Sequence, residues 1–223
     1  MKPVRENKIP VKDIEVEIRK SRGKNVRIKV ERDTANVVLF VPEGKRAFAV
    51  KFAYSKYDWI AAHRAEAFLR AERNRVPENR LRIFGKDYKT VPCSGGEAKI
   101  SGESVYLPVL SGENGLARSA EKFKRKILSA YLEERVKYYS ALTGLVPAGW
   151  KLRTRRSRWG VCNGAKRVLT FNTRLIERPE ACADYVVLHE IAHLAYPDHG
   201  KDFKKFLTAY MPDWKNRKNL LMG

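Results

Sequence analysis

Apolar and charged residues alternate from the start of the chain. Ile14, Val16 and Ile18 are interleaved with Glu15, Glu17 and Arg19, and Val26, Ile28 and Val30 with Arg27, Lys29 and Glu31. A third apolar run covers 37–41. A period of two between turn residues marks half-buried strands. Residues 21–25 and the Asp33-Thr34 region supply the turns, so the pattern predicts an antiparallel β-meander. From 46 to about 75 there is no glycine or proline, and Phe48, Phe52, Trp59, Ile60, His63 and Ala67 recur at roughly helical spacing. One helix is expected there. Short strands are expected at 81–84, 88–91, 98–100 and 105–109, with turns at Gly85-Lys86 and Gly102-Glu103.

Residues 111–115 (SGENG) form the best linker candidate. A long helix is then expected over about 117–142. Its stripe includes Phe123, Leu128, Tyr131, Leu132 and Val136, and Gly144 ends it. Two strands follow, at 150–158 and 168–172. Another helix has Pro179 in its first turn and runs to about Tyr196, where Pro197 stops it. A last helix begins near Gly200, with Phe203, Phe206, Leu207 and Tyr210 on one side. Strands segregated from helices indicate an α+β fold: an N-terminal antiparallel β-meander with a helix, then a long helix, a β-hairpin and two further helices. The expected division is 1–111 as a β-rich accessory region and 112–223 as the second domain, with one compact unit as the alternative, and no internal repeat is evident.

The helix after Pro179 carries the chemistry. It contains His189, Glu190 and His193 as H-E-x-x-H, and His199 follows. Histidines at i and i+4 share one helix face, their Cβ atoms about 5–6 Å apart, and so can grip one metal ion. Ala183, Val187, Leu188, Ile191, Ala192 and Leu194 make this helix apolar nearly all round, which implies burial. Buried imidazoles and a carboxylate need partners, and a metal supplies one. A catalytic zinc takes three protein ligands and a water. No glutamate follows Glu190, so the third ligand is His199, the stronger choice, or a carboxylate among Asp198, Asp202 and Asp213. Pro197 and Asp198 can turn the chain back toward the other imidazoles; a continued helix would carry His199 about 9 Å along the axis from His193. Zinc makes hydroxide available near neutral pH, and Glu190, beside the metal but not on it, is the general base. The reaction class is metal-assisted hydrolysis, most naturally of a peptide bond.

Composition narrows the setting. The 223 residues are 43% hydrophobic and 32% charged, a globular and not a disordered balance. No apolar run approaches the ~18 residues of a membrane span, and none reads as a secretory leader. Three scattered cysteines fit a reducing compartment, so the expectation is a cytoplasmic protein with no membrane partner. The net charge of +21 is spread over both halves: 24 basic and 15 acidic residues in 1–116, 22 and 10 in 117–223. That charge suits a polyanion, or simply a basic surface. Lys151, Arg153, Arg155, Arg156 and Arg158 form the densest cluster, with Lys151, Arg153 and Arg155 on one strand face.

The stretch from about Trp150 onward resembles the YgjP-like zinc metallopeptidases, relatives of the SprT-type proteases. The carrying segments are Arg158-Trp159-Gly160-Val161-Cys162, Leu169-Thr170-Phe171-Asn172, and 184–194 (DYVVLHEIAHL). His199-Gly200 with Phe203 and Phe206, and Pro212-Asp213-Trp214, complete them. The N-terminal strands, helix and Phe84-Gly85-Lys86 turn match more loosely. The resemblance implies a minimal zincin-like core with zinc on His189, His193 and His199 and Glu190 as general base. SprT-type relatives include proteases acting on proteins attached to DNA, which sits well beside the charge. The partners expected are therefore a protein or peptide substrate and, through the basic surface, nucleic acid.

Other residues have two readings. Trp159-Gly160 flanks a substrate cleft, as an edge strand able to pair with a peptide, or is a core tryptophan beside a turn. Tyr196 donates to an oxyanion, or packs at the helix end. Cys182, about 10.5 Å along the axis from His189, is too far to share the ion, whereas geometry leaves Cys162 open. His63 stands apart. Two other functions fit the motif: a zinc-dependent phosphohydrolase acting on nucleotides, for which Gly95-Gly96 lacks a phosphate-cradling pattern, and a nucleic-acid-binding module with structural zinc.

Overall fold

The computed structural model describes residues 7–31, 34–155 and 157–222. Asp33 of the second expected turn and Arg156 of the basic cluster lie outside them. The fold is α+β, and the chain forms two compact units, residues 1–75 and 76–223.

The first unit holds β1 (Lys8–Val11), β2 (Ile14–Ser21), β3 (Arg27–Val30) and β4 (Val37–Pro42), then α1 (Arg46–Ser55) and α2 (Tyr57–Asn74). The alternation places its strands well, but not their pairing. The order is β1-β2-β4-β3, with β2 parallel to β4, so the sheet is mixed and not an antiparallel meander. Burial on one face, by Val11, Ile14, Val16, Ile18, Val37, Leu39 and Val41 against Ala49, Ala53 and Ile60, is satisfied by this order. Alternation specifies which face is inside, and any strand order that keeps that face inside meets it equally. The single expected helix breaks at Lys56. There Lys56 N–H bonds to Ala53 O, one residue short of helical spacing, and the Ser55 hydroxyl takes the Phe52 carbonyl.

The second unit begins with β5 (Arg80–Ile83), β6 (Lys86–Cys93), β7 (Lys99–Ser101) and β8 (Ser104–Pro108). Their order, β5-β6-β8-β7, repeats that of the first sheet, again with a parallel central pair. The opening hairpins also share register: Val11 pairs with Ile14, and Ile83 with Lys86. This repeat is invisible in the sequence because the two sheets share topology and not residues. Leu81, Ile83, Val105 and Leu107 pack into one core with the helices that follow, and Phe84 N–H bonds to Ile176 O at 2.6 Å. The division therefore falls at Arg75 and not near residue 111, since the apolar face of this sheet belongs to the second core.

After α3 (Gly115–Thr143), capped by Gly144 at φ 73°, come β9 (Gly149–Arg153), β10 (Gly160–Asn163) and β11 (Val168–Asn172). In place of the expected strand at 150–158, β9 stops at Arg153. The buried Asn172 amide explains the stop: its nitrogen donates to Arg155 O (2.7 Å) and Arg158 O (2.8 Å), carbonyls that a longer β9 would turn to its neighbouring strand. β10 then pairs antiparallel with β11, and β9 parallel with it, leaving β10 at an edge.

A 3-10 turn (Thr173–Glu177) leads to α4 (Glu180–Ala192), followed by α5 (Lys201–Tyr210) and α6 (Trp214–Met222). The last of these is not evident from periodicity. α4 ends four residues before Tyr196: the amides of Leu194 and Ala195 bond three residues back, tightening the turn. Asp184 clamps α4 to its neighbours, accepting from Arg135 Nε on α3 (2.6 Å), Tyr131 Oη (3.0 Å) and Arg217 on α6 (3.4 Å). Among the described residues no helix is long and apolar enough to cross a membrane.

Candidate metal centre and its buried glutamate

α4 is buried on almost every side, with Val187, Leu188, Ile191 and Ala192 fully inaccessible. The helix therefore has no freedom to turn, and the side chains at 189, 190 and 193 inherit its placement. His189 lies on the last full turn and His193 is the C-terminal cap. His199 arrives from the following loop, in which Gly200 N–H bonds to Asp198 Oδ1 at 2.8 Å. A ligand atom from each of the three histidines lies within 4.8 Å of the others. His189 Nε2 and His199 Nε2 are 3.1 Å apart.

The ring orientations are set from behind. His193 Nδ1 is 2.9 Å from Tyr196 O. A carbonyl only accepts, so His193 carries its proton on Nδ1 and turns a lone pair at Nε2 outward. His189 Nδ1 lies 3.3 Å from the Tyr185 hydroxyl. Phe203, buried on α5, packs against all three imidazoles with ring centroids 4.8–5.0 Å apart. Burial and the adjacent His193 and His199 push the pKa of His189 down to about 3, and burial lowers that of His199 as well. A depressed imidazole is neutral at physiological pH, the state a metal requires.

Glu190 points to a different neighbour. It is 5% exposed, and burial raises its carboxyl to about 7, against the opposing pull of the Cys162 amide and Arg158. A carboxylate poised near neutrality suits proton transfer at that pH.

Of the other ligand-type side chains weighed from the sequence, none joins the cluster. Cys182 is buried with its thiol toward Arg217 O, and burial pushes it up to about 11. Cys162 is half-buried on β10, its thiol raised by burial and by Glu190. Asp198 is occupied by its turn, Asp213 pairs with Arg217 at 2.8 Å, and Asp202 sits exposed in the first turn of α5. Tyr196 packs on Phe206 with ring centroids 5.4 Å apart. Trp159 is half-buried against the core, with the guanidinium groups of Arg174 and Arg178 at 5.7 and 5.5 Å from its ring. His63 stacks on Trp59 in the first unit. Gly95 and Gly96 lie in an open turn where an added Cβ would meet nothing within 4 Å. Lys151 and Arg153 project from one exposed face of β9, with Leu152 buried between them.

Sequence reasoning passed over Tyr185 and Phe203 as supports of the site. Tyr185 was findable, since it stands one helical turn before His189. Phe203 carried no such signal, because its contact with the imidazoles depends on how α5 folds back.

A family model described as YgjP-like, metallopeptidase domain, matches residues 24–222. No curated protein matches the chain.

Proposed function

Because the chain belongs to the YgjP-like metallopeptidase family, we propose that it is a zinc-dependent peptidase with the metal on His189, His193 and His199 and Glu190 as general base. The observation that carries this reading is the convergence of three imidazole nitrogens, all within 4.8 Å of one another, at the end of the helix that bears a buried glutamate. The donor set suits zinc: three imidazoles leave a coordination position for water, as catalytic zinc sites do. Zinc bound there would polarise the scissile carbonyl and bring the pKa of its water to about 7.

The remaining steps belong to the protein. Tyr185 and the Tyr196 carbonyl hold the Nδ1 sides of His189 and His193, leaving the opposite nitrogens as ligands. Glu190 takes the proton of the attacking water and passes it to the leaving amine. β10 lies at a sheet edge beside Glu190, where an extended protein segment can add as a further strand. The basic face of β9 supports substrates held near nucleic acid, through Lys151 and Arg153.

The test uses zinc-loaded protein and fluorescein-labelled casein. Glu190→Gln should keep its zinc and cleave about 100-fold or more slowly. Cleavage by that variant at the wild-type rate would remove Glu190 from the mechanism. Loss of zinc from each single His→Ala variant at 189, 193 and 199 is the matching expectation for the ligands.

A further inference from the structure

Gly160 lies in β10, paired with Phe171 of β11. Unlike Gly44, Gly85 and Gly144, it does not have a positive φ. The backbone there is ordinary strand, and any residue could adopt it. Space is what excludes a side chain. A Cβ built on Gly160 would stand 2.5 Å from Glu190 Oε1, 2.6 Å from its Cγ and 2.8 Å from its Cδ. These distances run along most of the glutamate side chain. Its backbone cannot retreat, because α4 is buried on almost every side.

The same strand also turns an amide outward. Trp159 O accepts from Asn172 N at 2.9 Å, so residue 159 faces β11. In an antiparallel pair the facing alternates along the strand, which turns the Cys162 amide to the open edge. That amide pulls the Glu190 carboxyl down against the effect of burial.

We infer that Gly160 forms a seat on β10 that fixes the position of the Glu190 carboxylate. Gly160 is thus a positioning residue, acting through Glu190. This rests on the reading of Glu190 as the general base. It adds that the base is located by a strand as well as by its own helix. Asn172 supports the seat from behind, since its side chain ties down the loop that delivers Trp159 and Gly160.

The test is a cycle of four zinc-loaded proteins: wild type, Gly160→Ala, Glu190→Ala and the double variant, compared by thermal melting and zinc content. Overpacking predicts that Gly160→Ala lowers Tm by about 2–10 °C with Glu190 present. With Glu190→Ala the methyl group has room, and most of that loss should vanish. Equal losses in both backgrounds would overturn the seat, because the added methyl would then be clashing elsewhere. If Gly160→Ala fails to fold, the double variant should still fold; failure of both would equally overturn it.

Casein cleavage adds the functional arm. Gly160→Ala should lose about 100-fold in kcat with KM little changed, as for a small misplacement of a reacting group. Wild-type kcat in Gly160→Ala beside an inactive Glu190→Gln would refute positioning while leaving the base in place. An active Glu190→Gln would refute the base itself, and the melting cycle would still judge the seat.

Discussion

Replacing Glu190 by Gln removes a charge from a side chain that is 5% exposed, and the stability gained should depend on pH. Burial raises this carboxyl from its ordinary 4.5 to about 7. At ~1.4 kcal/mol per pH unit, that displacement is worth roughly 3 kcal/mol. Below pH 4.5 the carboxyl is protonated in folded and unfolded chains alike. Between 4.5 and about 7 the unfolded chain releases the proton while the folded chain keeps it, so stability falls as pH rises. Above about 7 the buried group is charged and the loss is complete. The Gln variant has no such proton. His189, held down to about 3, works in the opposite sense: its contribution is present above its ordinary 6.5 and is lost as pH falls toward 3. That slope is common to both proteins and cancels in the difference. Urea denaturation of the metal-free proteins from about pH 4 to 8 should therefore show Glu190→Gln gaining from near zero to roughly 3 kcal/mol over wild type. A gap that stays constant across this range, or that widens toward acid, would refute the argument that burial dominates the carboxyl.

Three further outcomes follow from the same geometry. Tyr185→Phe removes the hydroxyl 3.3 Å from His189 Nδ1 and should weaken zinc binding about tenfold in a chelator competition, with little change in metal-free melting. His199→Ala should release zinc yet leave the metal-free fold intact, as circular dichroism can check, because His199 is exposed and sits on a loop. Asp184→Ala strands Arg135, whose carboxylate partner is 15% exposed, while Arg217 keeps Asp213. It should cost about 3 kcal/mol in urea denaturation.

How much was legible depended on the range of the interaction. The strands at 14–18, 26–30 and 37–41 and the long helix before Gly144 showed in the sequence because their periodicity is local. The break at Lys56 did not, since Ala49, Ala53 and Ile60 would share one face of an unbroken helix too. β10 was hidden behind a run of arginines, because its start is set by Asn172, many residues later. His189 and His193 declared themselves by helical spacing, and His199 by the proline that ends the helix path.

By itself, the sequence determined which faces are buried, where most helices run, and which three histidines have the chemistry and spacing to meet. These follow from short-range geometry, in which neighbours three or four residues apart have no choice but to share a face. Only the tertiary structure decided the strand order β1-β2-β4-β3 and its echo in the second unit, since alternation constrains the face of a strand and not its partner. It alone set Phe203 beneath the imidazoles and Tyr185 behind one of them. It also brought Gly160 against Glu190, a contact between residues thirty positions apart in sequence that exists because β10 and the buried α4 share one core.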